Sequence, residues 1–301
     1  MKSLHLLLAA ALLPLGFTAT HGAPASLAYM PLETEVAIGL DEQQLAKSPL
    51  VLQIVKKRLG DQLDSKVAFI ETLTGTNVMK DLTHVTFFGR VNNDNSMALM
   101  VEGKLDRAKL LTLVKVNESY RTFQQDGREI HEWMDKDEQR LKFGCFVADN
   151  TVIIWNSKDA MDAGLGAMAA PEKSLAKSAD AATIPAEADT AAAWAVLFSR
   201  NPNSPGAKLH VAKAFAWANL ELNDVVAHAT ITADSPTAGA QWADLAKGAA
   251  ALGQLQSQNA VLANLASHAK VTPSADGNAV AVEASLDNAT VLAIVEKGGI
   301  K

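Results

Sequence analysis

Tyr120, Thr122, His131 and Trp133 occupy alternate positions on either side of an Asp126-Gly127 pair. An Asp-Gly pair between two alternating runs specifies a two-residue turn, and the turn fixes which residues of its strands face each other. The register places Tyr120 opposite Trp133, Thr122 opposite His131 and Gln124 opposite Glu129 on one face. The other face pairs Phe123 with Ile130 and Arg121 with Glu132. Aromatic rings beside hydrogen-bonding groups suit contact with a ligand or a protein partner, although cross-strand aromatic pairs also stabilise sheets on their own. Tyr120, Thr122, His131 and Trp133 are therefore the candidate binding residues.

Other chemistry is harder to assemble. Of the 7 histidines, His84, His131, His210, His228 and His268 lie beyond residue 25, at no metal-ligand spacing. His131-Glu132 continues as Trp133-Met134-Asp135, which is not the zinc-protease pattern. The sequence has no nucleophile-elbow, Walker or dinucleotide glycine pattern. Gly164-Leu165-Gly166 lacks the third glycine and the preceding strand. In the polar run at 92–96, Met97 stands where a calcium loop needs glycine, so it reads as a hairpin turn. No metal and no cofactor is expected. The single cysteine excludes an internal disulfide framework. Cys145 sits in a strand-like run and reads as core. Acidic clusters at 33–35 and 135–138 read as solvated turns, with a hydrolase built on dispersed carboxylates as the alternative.

Composition sets the bounds. The chain has 301 residues, 49% hydrophobic and 20% charged, with a formal charge of -6, which disfavours a nucleic-acid partner held by a basic surface. Lys2, a short apolar run over 6–17 and Ala23-Pro24-Ala25 have the pattern of a secretory signal peptide, residues 1–25. No later run is long enough to span a membrane as a helix. The mature chain is expected to be exported, to the periplasm or the medium.

Charge density divides the remainder. Residues 26–158 carry 36 charged side chains in 133 positions, and residues 190–301 carry 15 in 112. The Ala-rich, acidic stretch 159–189 between them holds no aromatic residue and reads as a connection, helical near 159–170. The sparse charge after Thr190 fits either deeper burial or a covered surface such as an oligomer interface.

Two segments share the pattern V-E-x-x-L-D-x-A-x-x-L-x-x-V, starting at Val101 and at Val282. A strand ends at V-E, the Asp caps a helix, and the later Leu and Val form its apolar side. Val85-Thr86 precedes the first and Val271-Thr272 the second. Ser48-Pro49 and Ser235-Pro236 open helices upstream. The inward faces expected are Val51, Ile54, Val55 and Leu59 for one, and Trp242, Leu245, Ala249 and Leu252 for the other. Both segments, 34–116 and 225–297, read β-α-α-β-β-α. The expected fold is α+β, with two related modules of antiparallel sheet carrying helices on one face.

Met30-Pro31-Leu32, Asp81-Leu82-Thr83-His84-Val85-Thr86 and Val101-Glu102-Gly103-Lys104-Leu105-Asp106 resemble a group of uncharacterised bacterial exported proteins built of tandem α+β modules. The resemblance spans most of the mature chain and implies no activity. The leading expectation is a non-catalytic protein of the envelope or the exterior that binds a partner or assembles with itself. The alternatives are a carrier of an apolar small ligand between helices and sheet, and a hydrolase using dispersed carboxylate and His residues.

Overall fold

The computed structural model describes residues 24–59, 63–202, 204–221, 223–255 and 267–297. Most of the expected signal segment, and the side chains of Leu59 and Leu252, lie outside what is described. Two compact units emerge: residues 24–47 with 55–185, and residues 48–54 with 186–297.

The N-terminal unit holds seven strands: β1 (Val36–Asp41), β2 (Leu82–Arg90), β3 (Asn93–Gly103), β4 (Arg121–Gln125), β5 (Arg128–Asp135), β6 (Arg140–Ala148) and β7 (Thr151–Trp155). Their order is β1-β2-β3-β7-β6-β5-β4, every pairing antiparallel. Helices α1 (Glu42–Lys47), α2 (Pro49–Leu59) and α3 (Leu63–Thr74) connect β1 to β2. Helix α4 (Arg107–Lys115) follows β3, and α5 (Lys158–Ala169) follows β7. Four short 3-10 turns complete the stretch up to Thr190.

The C-terminal unit orders its strands β8-β9-β10-β12-β11, also antiparallel. They are β8 (Ala193–Phe198), β9 (Val211–Leu220), β10 (Asp224–Ala233), β11 (Lys270–Pro273) and β12 (Ala279–Asp287). Helices α6 (Pro205–Lys208), α7 (Pro236–Leu255) and α8 (Asn288–Lys297) accompany them. The architecture is thus α+β on antiparallel sheet, as the strand and turn signals predict.

The paired V-E segments fold alike. Asp106 accepts from the Lys109 N–H at 3.0 Å, and Asp287 from the Thr290 N–H at 2.7 Å, so each carboxylate satisfies an orphan donor of a helix start. Val101 faces Val85 in one hairpin, and Val282 faces Val271 in the other. The wider match differs from the sequence expectation. Equating 34–116 with 225–297 puts β1 in the place of β10, yet β1 lies on the far side of β2 while β10 lies beside β12. The strand runs that share neighbours are β5-β6-β7-β3-β2 and β8-β9-β10-β12-β11. Each meander leads into a Ser-capped helix, with Ser157 accepting from Ala160 at 3.1 Å and Ser235 from Ala238 at 3.3 Å. The hairpin precedes the meander in one unit and follows it in the other, so the two orders are related by a cyclic shift of the chain.

The residues that face inward on two helices also differ from expectation. On α7, Leu245 is 60% exposed and Ala249 is exposed, while Ala238 and Ala243 are buried. Ala243 joins Val211, Ile231 and Val280, and Trp242 packs beside them. The branched side chains of Val211, Ile231 and Val280 already fill the space beneath, so a small residue, Ala243, is what fits between helix and sheet there. On α2 it is Leu50 that is fully covered, with Val51, Ile54 and Val55 half-buried.

Helix α5 packs on β3, β6 and β7. Its buried Met161, Leu165 and Gly164 lie on the face that carries Trp155, which is 1% exposed. The large anchor missing from the Ala-rich stretch is supplied by β7. A Cβ at Gly164 would stand 2.7 Å from Trp155 Nε1, whereas a Cβ at Gly166 meets nothing within 4 Å. Helix propensity alone favours alanine at both sites by about 1 kcal/mol. Gly166→Ala is therefore expected to raise stability by about 0.5–1 kcal/mol. Gly164→Ala must displace a close-packed indole and is expected to lower stability by about 1–3 kcal/mol. Urea unfolding of the two variants checks the opposite signs.

Candidate binding site

The Asp126-Gly127 turn has φ of 50° and 73° at its two central residues, the geometry of a type I′ hairpin. The register is the expected one: Thr122 faces His131, Gln124 faces Glu129, Phe123 faces Ile130 and Arg121 faces Glu132. Tyr120 stands just before β4, and its hydroxyl meets His131 Nδ1 at 2.9 Å with the two rings stacked 6.1 Å apart. Tyr120 therefore engages His131 directly. Trp133 lies along the same face over Gly144, where a Cβ would come within 3.0 Å of its ring. Thr122 is exposed across from His131.

Three further residues complete the cluster: Glu129, two positions before His131 on the same face of β5, and Arg107 and Phe146 from other elements. Glu129 Oε2 stands 3.7 Å from His131 Nε2 and 3.4 Å from Arg107 Nη2. The Arg107 guanidinium lies 4.8 Å over the Phe146 ring, a cation–π contact, and the Phe146 and His131 rings meet in a T-shaped arrangement with centroids 6.4 Å apart. The Asp106 cap fixes Arg107 in the first turn of α4, so α4 begins over β6. Gly144 and Phe146 are placed by the β5–β6 and β6–β7 pairings.

His131 is 3% exposed, and its Nε2 makes no hydrogen bond. Burial pushes its pKa below the ordinary histidine value; Glu129 opposes that shift, and Arg107 and Lys115 reinforce it. The ring is accordingly neutral near pH 7. Burial also raises the Tyr120 hydroxyl and the Cys145 thiol. Cys145 lies on the opposite face of β6, among core residues, as expected.

The face that carries His131 is apolar across the N-terminal sheet. One cross-strand row runs Ile38, Phe87, Leu99, Ile154, Gly144, His131 and Thr122; the next runs Leu40, Val85, Val101, Val152 and Phe146. None of the nine large apolar side chains in these rows is buried, and Phe87 is 43% exposed. Alternate positions of the same strands, Ala37, Phe88, Met100, Ile153 and Trp155, are at most 2% exposed. Helices α3 and α4, packed on each other, are equally open. Neither buries a residue among those whose side chains are described, and Phe69 is 64% exposed. Ile70 and Leu73, on the same helix, and Val116, just past α4, are also exposed.

A concavity of about 190 Å³ lies apart from these rows, by the β2–β3 turn and the start of α5, and is lined by Glu33, Arg90, Asn93, Asn95 and Asp159 among others. A hairpin turn is found there, but at Val91-Asn92, with Asn92 at φ 60°; residues 93–96, expected in the turn, open β3 with Asn93 paired to Arg90. Among the described residues no three His, Cys, Asp or Glu side chains gather as a metal-holding group. The other histidines are dispersed: His228 stacks on Trp217 at 4.4 Å, His210 meets Asp234 at 2.8 Å, and His84 lies 4.0 Å from Asp41.

Among the described residues, no helix is long and apolar enough to cross a membrane. No protein-family profile matches the chain, and no curated protein matches it in sequence. Solved structures do match in fold. Crystal form III of TP0453 aligns with a TM-score of 0.50 at 9% identity, over 90% of this chain and 97% of that one. Crystal form IV of TP0453 aligns at 0.49 with 10% identity, over 91% and 96% of the two chains. Crystal form I gives 0.46 and 11% identity, over 93% and 99%. The likeness to crystal form III concerns the fold alone and extends over nearly the whole of both chains.

Proposed function

We propose that this chain is an exported, non-catalytic binding protein, and that what it binds is an apolar small ligand held against the N-terminal sheet. The observation that carries the reading is the half-open apolar face: two rows of large aliphatic and aromatic side chains, none of them buried, in strands whose alternate positions are closed. Eight of these nine side chains are half-buried and Phe87 is 43% exposed; the apolar surface they leave in contact with water costs roughly 25 cal/mol per Å², and an apolar patch on a protein surface is typical of binding sites. Helices α3 and α4 carry exposed apolar residues of their own, so a ligand between helix and sheet would give both layers the burial they lack. Export is supported by the pattern of residues 1–25.

The contact of His131 with Glu129 is the one observation that favours a hydrolase. Its other nitrogen is taken by Tyr120, and the single cysteine points into the core on the far side of the sheet. This leaves a histidine with no activated nucleophile beside it, and binding is the better use of the cluster.

Native mass spectrometry of the protein purified without detergent from its own producing cell tests the proposal. The expected result is a chain mass with a reproducible small excess, lost on extraction with organic solvent. An integer multiple of the chain mass with no excess would instead support self-assembly through this face. A bare monomer that takes up no apolar dye would overturn the binding reading.

A further inference from the structure

We infer that the ligand is a long-chain carboxylate, whose head is held by His131 Nε2 and the Arg107 guanidinium at the end of the apolar rows. This deepens the binding proposal above and rests on it.

The Tyr120 hydroxyl and His131 Nδ1 share a hydrogen bond of 2.9 Å; in the tautomer in which the hydroxyl donates, which the Glu129 carboxylate 3.7 Å from Nε2 favours, the neutral imidazole carries its proton on Nε2. That nitrogen is buried and makes no hydrogen bond, and leaving a buried donor unmet costs about 1–3 kcal/mol. Such an omission in a folded protein calls for a partner. The surroundings specify its charge. Arg107 and Lys115 both act electrostatically on His131, against the single carboxylate of Glu129. The local balance is positive, and a single negative charge fits it.

Geometry narrows the class further. Glu129 already places its carboxylate between the two donors, at 3.7 Å from Nε2 and 3.4 Å from Arg107 Nη2. Both distances exceed a good hydrogen bond. The position therefore accepts a planar carboxylate, and Glu129 fills it loosely. Its side chain is 44% exposed, so moving it into water is inexpensive. An arriving carboxylate would take both donors at closer range, in charge-assisted bonds.

The tail has a continuous path. From His131 the row passes over Gly144, floored by the Trp133 ring, to Ile154, Leu99, Phe87 and Ile38. Five strand-to-strand steps span about 24 Å, the scale of a long acyl chain. An amphiphile with one anionic end and one unbranched apolar end matches the surface along its whole length.

Displacement of Nile red from the full chain by palmitate, methyl palmitate and hexadecanol tests the inference. The expected result is palmitate at least about tenfold tighter than its ester and alcohol, the difference a charge-assisted hydrogen bond supplies. Arg107→Met is half-exposed and not expected to disturb folding; it should bring that ratio close to one. Glu129→Gln should tighten palmitate binding by removing the competing charge, an effect no purely structural role for Glu129 predicts. Equal binding of all three compounds would overturn the carboxylate site while leaving the apolar carrier intact. Failure of all three to displace the dye would overturn both.

Discussion

Phe88→Ala is expected to cost about 3–5 kcal/mol of stability, and Phe87→Ala, one residue earlier, only about 1 kcal/mol. The effects on ligand binding should be the reverse. Phe88 is 2% exposed on the closed side of β2, and Phe87 is 43% exposed on the open side. Truncating Phe88 leaves a cavity that close-packed neighbours fill only in part, so transfer and cavity costs add. Truncating Phe87 removes a ring already partly in water. If the open side holds an apolar ligand, however, Phe87 is central to the row that contacts it. Losing most of a buried aromatic contact, about 1.5–3 kcal/mol, lowers affinity about tenfold or more. Urea unfolding and Nile red titration of both variants give the two numbers for each. A Phe87→Ala protein that binds the dye as tightly as the parent would place the ligand elsewhere.

How much of this could be read from sequence depends on the range of the interactions involved. The Asp126-Gly127 register was legible because a two-residue turn determines pairing locally. Four cross-strand pairs predicted from it are observed, and His131 and Trp133 share a face as alternation requires. The Asp106 and Asp287 caps were legible for the same reason, since a carboxylate three residues ahead of an orphan N–H is a short-range device. Glu129 falls on the His131 face by the same alternation, whereas Arg107, Gly144 and Phe146 lie beyond the reach of that turn. Gly144 and Phe146 reach His131 through the β5–β6 and β6–β7 pairings, and Arg107 through the place where α4 begins over the sheet. The open face has the same origin. Residues Ile38, Phe87, Leu99 and Ile154 form a row only through the β1–β2, β2–β3 and β3–β7 ladders. In sequence each strand shows near-continuous apolar character, which does not reveal which side remains uncovered. Helix α7 misled for a related reason. Leucine normally marks the inward face, but here the strands supply the large side chains, Val211, Ile231 and Val280, and the helix meets them with Ala243.

The V-E motif supplies a second large expected effect, at a position where its two copies differ. Gly103→Ala should destabilise the protein by about 2–4 kcal/mol, whereas Ala284→Gly, the reciprocal exchange, should cost only about 1 kcal/mol. Gly103 follows Val101-Glu102, and Ala284 follows Val282-Glu283. In the N-terminal copy β2 continues far enough to pair Leu82 with Gly103, where the ladder is irregular, and Gly103 takes φ 152°. A Cβ there would collide with the Asp81 carbonyl oxygen. That oxygen cannot simply withdraw, because it accepts the Lys104 N–H at 2.7 Å. In the C-terminal copy β11 is only four residues long, and its last pairing toward this end is Lys270 with Glu283. No β11 residue pairs with Ala284, which faces Ala227 of β10 and is 1% exposed. The glycine is thus required by the longer hairpin partner and not by the motif. A Gly103→Ala variant that unfolds at the parent's urea midpoint would show that β2 does not hold this approach in solution. The expected outcome, a large loss for one exchange and a small loss for its reciprocal, would mark the β2–β3 corner as the rigid point from which the apolar rows are positioned.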